Sequence, residues 1–124
     1  MKEGRCKMYE GNLIGKYGED VAERYLKQKG YKIIERDFSC RQGELDIVAT
    51  NNEYLIFIEV KTRSNFLYGK PAKLVGKTKQ NHMYKVAKYY LHIHSLEDKF
   101  IRFDLIEVFI DKGLAKVNHI HQVI

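Results

Sequence analysis

In the stretch GELDIVATNNEYLIFIEVKTR, residues 43 to 63, Asp46 is followed thirteen residues later by Glu59 and then by Lys61. Strand side chains alternate between faces, so Leu55, Phe57, Glu59, Lys61 and Arg63 share one face and Tyr54, Ile56, Ile58, Val60 and Thr62 the other. A face that is apolar at its start and charged at its end describes a strand running into a cleft. A two-residue turn at Asn51-Asn52 would pair Thr50 with Glu53, Asp46 with Phe57 and Glu44 with Glu59. Asp46 then lies diagonal to Glu59, about 5 to 7 Å away at Cβ, on the face that carries Lys61. A three-residue turn would move Asp46 to the opposite face. Two carboxylates this close resist joint ionisation unless something positive joins them. A hard divalent cation is the natural partner, because Mg²⁺ is usually held by one or two carboxylates, waters and a substrate phosphate. Lys61 would reach that phosphate or the attacking water, which is the chemistry of metal-assisted phosphodiester hydrolysis. A structural Glu59–Lys61 ion pair at a strand end is the competing reading of the same spacing.

Several elements must position these groups. Residues 1 to 11 read as a loose arm, and from Asn12 a helix places Ile14, Val21, Ala22, Tyr25 and Leu26 on one side, with Gly30 at its C-terminal cap. Glu19 and Glu23 stand one turn apart on or beside that stripe. YKIIERDF, residues 31 to 38, reads as a strand and SCRQG as a turn, followed by the two strands of the hairpin. After the irregular SNFLYGK, Pro71 suits a first helical position, and the helix it opens should run to about Leu91 with Leu74, Val75, Val86, Ala87, Tyr90 and Leu91 inward. A polar break from His94 to Lys99 leads to the strand FIRFDLIEVFI, and DKGLA turns into a last strand, KVNHIHQVI. The order α-β-β-β-α-β-β predicts a mixed α/β sheet with helices packed on it.

With 124 residues, 44% hydrophobic, the chain is long enough for one core and one domain without disulfides. Cys6 and Cys40 form no CxxC motif, and neither a signal-peptide pattern nor a membrane-length apolar run is present, so a cytoplasmic protein is expected. Net charge is +6, unevenly spread. Between Glu59 and Glu97 there is no acidic residue, while Lys61, Arg63, Lys70, Lys73, Lys77, Lys79, Lys85 and Lys88 supply eight positive charges. Such segregation suits a phosphate-binding face, with a solvated helix face as the plainer reading. Phe66 and Tyr68 could stack on bases or simply anchor a loop. His92-x-His94 and His119-x-His121 each could set two imidazoles on one strand face, but no third ligand follows at a useful spacing, which favours hydrogen-bonded or exposed histidines. Asp104 alternates with apolar neighbours and is expected to pair with Arg102 or the first helix in a structural role. P-loop, GxSxG and dinucleotide motifs are absent.

Gly18-Glu19, Ala22, Tyr25-Leu26, Gly30-Tyr31, GELDIVA (43 to 49), FIEVKTR (57 to 63), Gly69-x-Pro71, Lys79-Gln80 and RFD (102 to 104) together resemble the YraN-like family. That family is related to the restriction-endonuclease-like, or PD-(D/E)xK, superfamily and akin to Holliday junction resolvases. The resemblance implies a restriction-endonuclease-like sheet flanked by helices, with Glu19, Asp46 and Glu59 as ligands of Mg²⁺ or Mn²⁺ and Lys61 as the catalytic lysine. Arg63, Lys70, Lys73, Lys77, Lys79 and Gln80 would contact DNA, structured or branched, and a junction substrate would imply a homodimer. Position 37 carries Asp where the family usually has Asn, and position 58 Ile for the more usual Val; neither change is expected to alter the chemistry. The alternative is a non-catalytic nucleic-acid-binding module with the same fold, and a third reading is a protein that docks an acidic protein partner.

Overall fold

The computed structural model describes residues 3–64 and 75–124, with side chains from residue 13 onward. The elements run α1 (Glu3–Gln28), β1 (Lys32–Cys40), β2 (Gly43–Thr50), β3 (Leu55–Arg63), α2 (Lys77–Ile93), β4 (Ile101–Asp111) and β5 (Leu114–Ile120). This is the expected order and the expected mixed α/β architecture. The five strands form one sheet in the order β1-β2-β3-β4-β5. Among the described residues only β3 and β4 pair in parallel, and α2 lies in the crossover that such a pair requires.

β3 is buried on both faces. Ile56 and Ile58 join Val21, Ala22 and Leu26 of α1 in one core, while Leu55 and Phe57 join Met83, Val86, Ala87 and Tyr90 of α2 in the other. The helices therefore cover opposite sides of the sheet. Gly18 makes α1 fit closely, because a Cβ there would land on the Oγ1 of Thr62. The C-terminus of α1 closes as expected at Gly30, whose φ of 94° is easy for glycine. The Tyr31 N–H then donates to Leu26 O and the Gly30 N–H to Lys27 O, satisfying two otherwise orphaned carbonyls.

Several boundaries differ from the sequence reading. α1 starts at Glu3 rather than Asn12, so the segment read as a loose arm is mostly helical; its glycines lower helix propensity by only about 1 kcal/mol each and do not stop a helix. Ile14, expected inward, is 53% exposed and borders an open groove with Arg63 and Ile110. α2 begins at Lys77, after Gly76, and not at position 71, and Pro71 and Leu74 lie outside the described residues, as do Lys70, Lys73, Phe66 and Tyr68. β1 extends to Cys40, so the following turn shrinks to residues 41–42. The last strand ends at Ile120, where Gln122, with φ of 55°, bends the chain back over β4.

The hairpin loop holds four residues, not two. Thr50 pairs with Leu55 and Ile47 with Ile58. The Asn51 side chain organises the loop by accepting the N–H groups of Glu53 and Tyr54 at 2.8 and 2.7 Å. Relative to a two-residue turn the register slides by two residues, an even number, so the side chains of the paired residues 47–50 and 55–58 keep their faces.

Candidate metal centre

β1 and β2 exchange faces halfway along. Arg36 points to the α1 side, where it meets the acids of that helix, yet Phe38, two residues on, lies on the α2 side with its ring 5.0 Å from that of Tyr90. Between them Asp37 has φ of 53°, a left-handed conformation that Asp tolerates better than most residues. Its partner strand turns with it, for Ile47 belongs to the α1 core and Leu45 to the α2 core. Asp46 sits at this crossing point, one step beyond the last β2–β3 pair, Ile47 with Ile58.

The Asp46 carboxylate consequently faces acids from both sides. Its Oδ2 accepts the Val60 N–H at 2.8 Å, which ties it to β3. Donor oxygens of Glu19, Asp37 and Asp46 all lie within 4.8 Å of one another. Burial first, and then the charges of Glu59 and Glu19, push Asp46 up to about 7 despite the lowering effects of the Val60 amide and Lys79. Glu19 is also raised, chiefly by burial and further by Asp37, against the opposing hydrogen bond from Arg36.

Two cations hold the outer members of this group. Arg36 donates to Asp20 at 2.7 Å, to Glu23 at 3.0 Å and to Glu19 at 3.1 Å, so one guanidinium fixes the acidic face of α1 against β1. On the other side, Lys79 of α2 lies 3.4 Å from Glu59. Gln80 turns away to donate to Val75 O at 2.8 Å, bracing the start of α2. Lys61 is exposed beyond Glu59. Arg63 is tied by a 3.1 Å bond to Glu107, itself buried and also bonded to Asn118.

Of the sequence-derived ligands, Glu19 and Asp46 are brought together as expected. Glu59 approaches Asp46 closely enough to raise its pKa but is engaged by Lys79. Asp37, whose presence was not expected to alter the chemistry, has its carboxylate within the same cluster. Arg36 was missed as well; its available signal was the run of acids at positions 19, 20 and 23, which needs a cation.

A family model described as "Uncharacterised protein family UPF0102" matches residues 18–108. The chain belongs to this family. Among its relatives are a UPF0102 protein of Clostridium perfringens, 47% identical over 95 residues that cover 77% of this chain and 78% of the relative. A Clostridium botulinum UPF0102 protein is 44% identical over 99 residues, covering 79% and 80%. One from Caldicellulosiruptor bescii is 41% identical over 108 residues, covering 85% and 91%. The UPF0102 match takes in the acidic cluster, Lys61, Lys79 and Asp104 but stops short of His119 and His121. Among the described residues, no helix of this UPF0102 protein is long and apolar enough to cross a membrane.

Proposed function

We propose that this UPF0102 protein is a restriction-endonuclease-like, metal-dependent DNA endonuclease that acts in the cytoplasm on structured or branched DNA. The observation that carries the reading is the convergence of Glu19, Asp37 and Asp46 within 4.8 Å, with Glu59 beside Asp46 and Lys61 next along the same strand. The donor set fits a hard dication: every group is a carboxylate, and burial, followed by the neighbouring charges of Glu59 and Glu19, pushes the Asp46 carboxyl up to about 7. Asp46 would be the shared ligand, with Glu19 and Asp37 on one side and Glu59 on the other. When bound, Mg²⁺ or Mn²⁺ would neutralise a nonbridging phosphate oxygen and lower the pKa of the attacking water.

The chain's own residues do the rest. Asp46 is immobilised by the Val60 amide and Glu19 by Arg36, so both carboxylates are pre-positioned. Lys61, exposed past Glu59, orients the attacking water or takes its proton. Lys77 and Lys79 open α2, with Lys79 beside Glu59, and Lys85, Lys88 and the exposed Tyr89 line a groove with Gln42, His92 and Glu97, the last paired with His92. That alternation of cations and an aromatic ring suits flanking phosphates and an unpaired base.

Calorimetric titration with Mn²⁺, beside cleavage assays on junction, flap and duplex DNA, tests the reading. Wild type should bind Mn²⁺ and cut, and Asp46→Ala should do neither. DNA affinity that falls steeply with salt, ignores metal and survives Asp46→Ala, without cleavage, would replace this reading with a non-catalytic binding module.

A further inference from the structure

The two histidines at the C-terminal end lack a third ligand in the sequence, but the sheet supplies one. β4 and β5 are antiparallel, with Leu105 opposite Ile120 and Ile106 opposite His119. One step further along that register, Asp104 faces His121, and His119, two residues back, points to the same side of the sheet. Donor atoms of Asp104, His119 and His121 all lie within 4.8 Å of one another, and the two imidazole centroids are 4.3 Å apart. Asp104 is fully buried and His119 only 4% exposed, while His121 is open to solvent and leaves an entry path.

We propose that Asp104, His119 and His121 form a site for a transition cation of the Zn²⁺ or Co²⁺ type, distinct from the acidic cluster. Two imidazoles and one carboxylate with room for water are a donor set that suits zinc-like metals and not Mg²⁺. Charge leads to the same selectivity. Arg102 already pairs with Asp104 through two bonds of 2.9 and 2.8 Å, so no excess negative charge is left to attract a hard cation, and affinity must come from the imidazoles.

The surroundings are those of a supported metal site. His119 Nε2 donates to Asp104 Oδ2 at 2.7 Å, which leaves Nδ1 to accept from the Tyr25 hydroxyl at 2.9 Å. On metal binding at Nε2 the ring proton moves to Nδ1 and is donated to the Tyr25 oxygen, so the ring releases no net proton and keeps its orientation. The Gln122 N–H, at 3.1 Å, and Arg102 hold Asp104 in place from the other side.

Untagged full-length protein titrated with Co²⁺ at pH 7.5 provides the test, read by the visible d–d absorption of a low-coordinate cobalt centre. Wild type and Asp46→Asn should both develop the band, Zn²⁺ should abolish it and excess Mg²⁺ should not. His121→Ala, at an exposed position that leaves the His119–Asp104 bond intact, should weaken binding by about tenfold or more and remove the Zn²⁺-induced rise in Tm. No band in wild type, or a band unchanged in His121→Ala, would leave these groups as a purely structural network and overturn the proposal. Loss of the band in Asp46→Asn alone would overturn it too, by placing the metal in the acidic cluster.

Discussion

The side chain of Asp46 accepts the backbone N–H of Val60 at 2.8 Å, at the point where the β2–β3 ladder has ended. The carboxylate thus takes the place of a strand partner, and in doing so it is fixed among other acids. Burial and the neighbouring charge of Glu59 raise it from 3.8 to about 7. The folded protein therefore keeps a proton that the unfolded chain releases near pH 4. Stability from the neutral carboxyl is fully present below that pH and is lost as pH rises to 7, by up to about 4 kcal/mol. In chelator, wild-type Tm should fall across this window, whereas Asp46→Asn, which can still accept the Val60 N–H, should fall much less and be the more stable protein at pH 8. Added Mn²⁺ should raise Tm at pH 8 for wild type only. Equal pH profiles for the two proteins would refute the electrostatic account of the site.

Gly18 and Thr62 set how closely α1 approaches the sheet, and Glu19 is the next residue along. Gly18→Ala should push the helix outward, with a destabilisation of about 1–3 kcal/mol in urea unfolding. Thr62→Ala in the same chain removes the hydroxyl that the new Cβ would strike and should recover part of the loss. Because Glu19 moves with the helix, Mn²⁺ affinity should drop in Gly18→Ala and return with the second change. Undiminished stability in the single variant would mean that α1 packs elsewhere.

Much of this was legible in the sequence. Alternation along residues 55 to 63 correctly placed a strand buried on both faces with charges at its end. The hairpin loop was two residues longer than read, yet the even slip preserved the faces of the paired residues 47–50 and 55–58, and Asp46 and Glu59 still meet. What escaped was the exchange of faces at Asp37, since a single residue with φ of 53° overrides alternation and periodicity carries no trace of it. The Asp104–His119 contact escaped for a different reason: fifteen residues and a turn separate the partners, and only the pairing of β4 with β5 brings them together. The start of α1 is not legible because residues 1 to 11 carry charges and two glycines without an apolar period, and glycine lowers helix propensity without stopping a helix.

Lys61 separates positioning from charge. A lysine that donates or receives a proton cannot be replaced by a guanidinium, which stays protonated at any working pH. Lys61→Arg should leave DNA affinity within about threefold of wild type while single-turnover cleavage falls by about 10²-fold or more. Retention of cleavage in this variant would reduce Lys61 to a phosphate contact, with the metal and its carboxylates supplying the chemistry.

Lys79 competes with the proposed cation for Glu59. In the 3.4 Å pair its ammonium neutralises the carboxylate, and its charge also lowers Asp46. A dication arriving there has to displace that ammonium, which is then free to meet a phosphate. Lys79→Met keeps the length of the side chain and removes the charge, so Mn²⁺ should bind several-fold more tightly while DNA binds more weakly and with a shallower salt dependence, by about one unit in the log–log slope. These opposite shifts distinguish a counter-cation from a residue that merely shapes α2, whose loss would weaken both equilibria together. Lys79→Arg, which preserves the charge, should leave the slope unchanged.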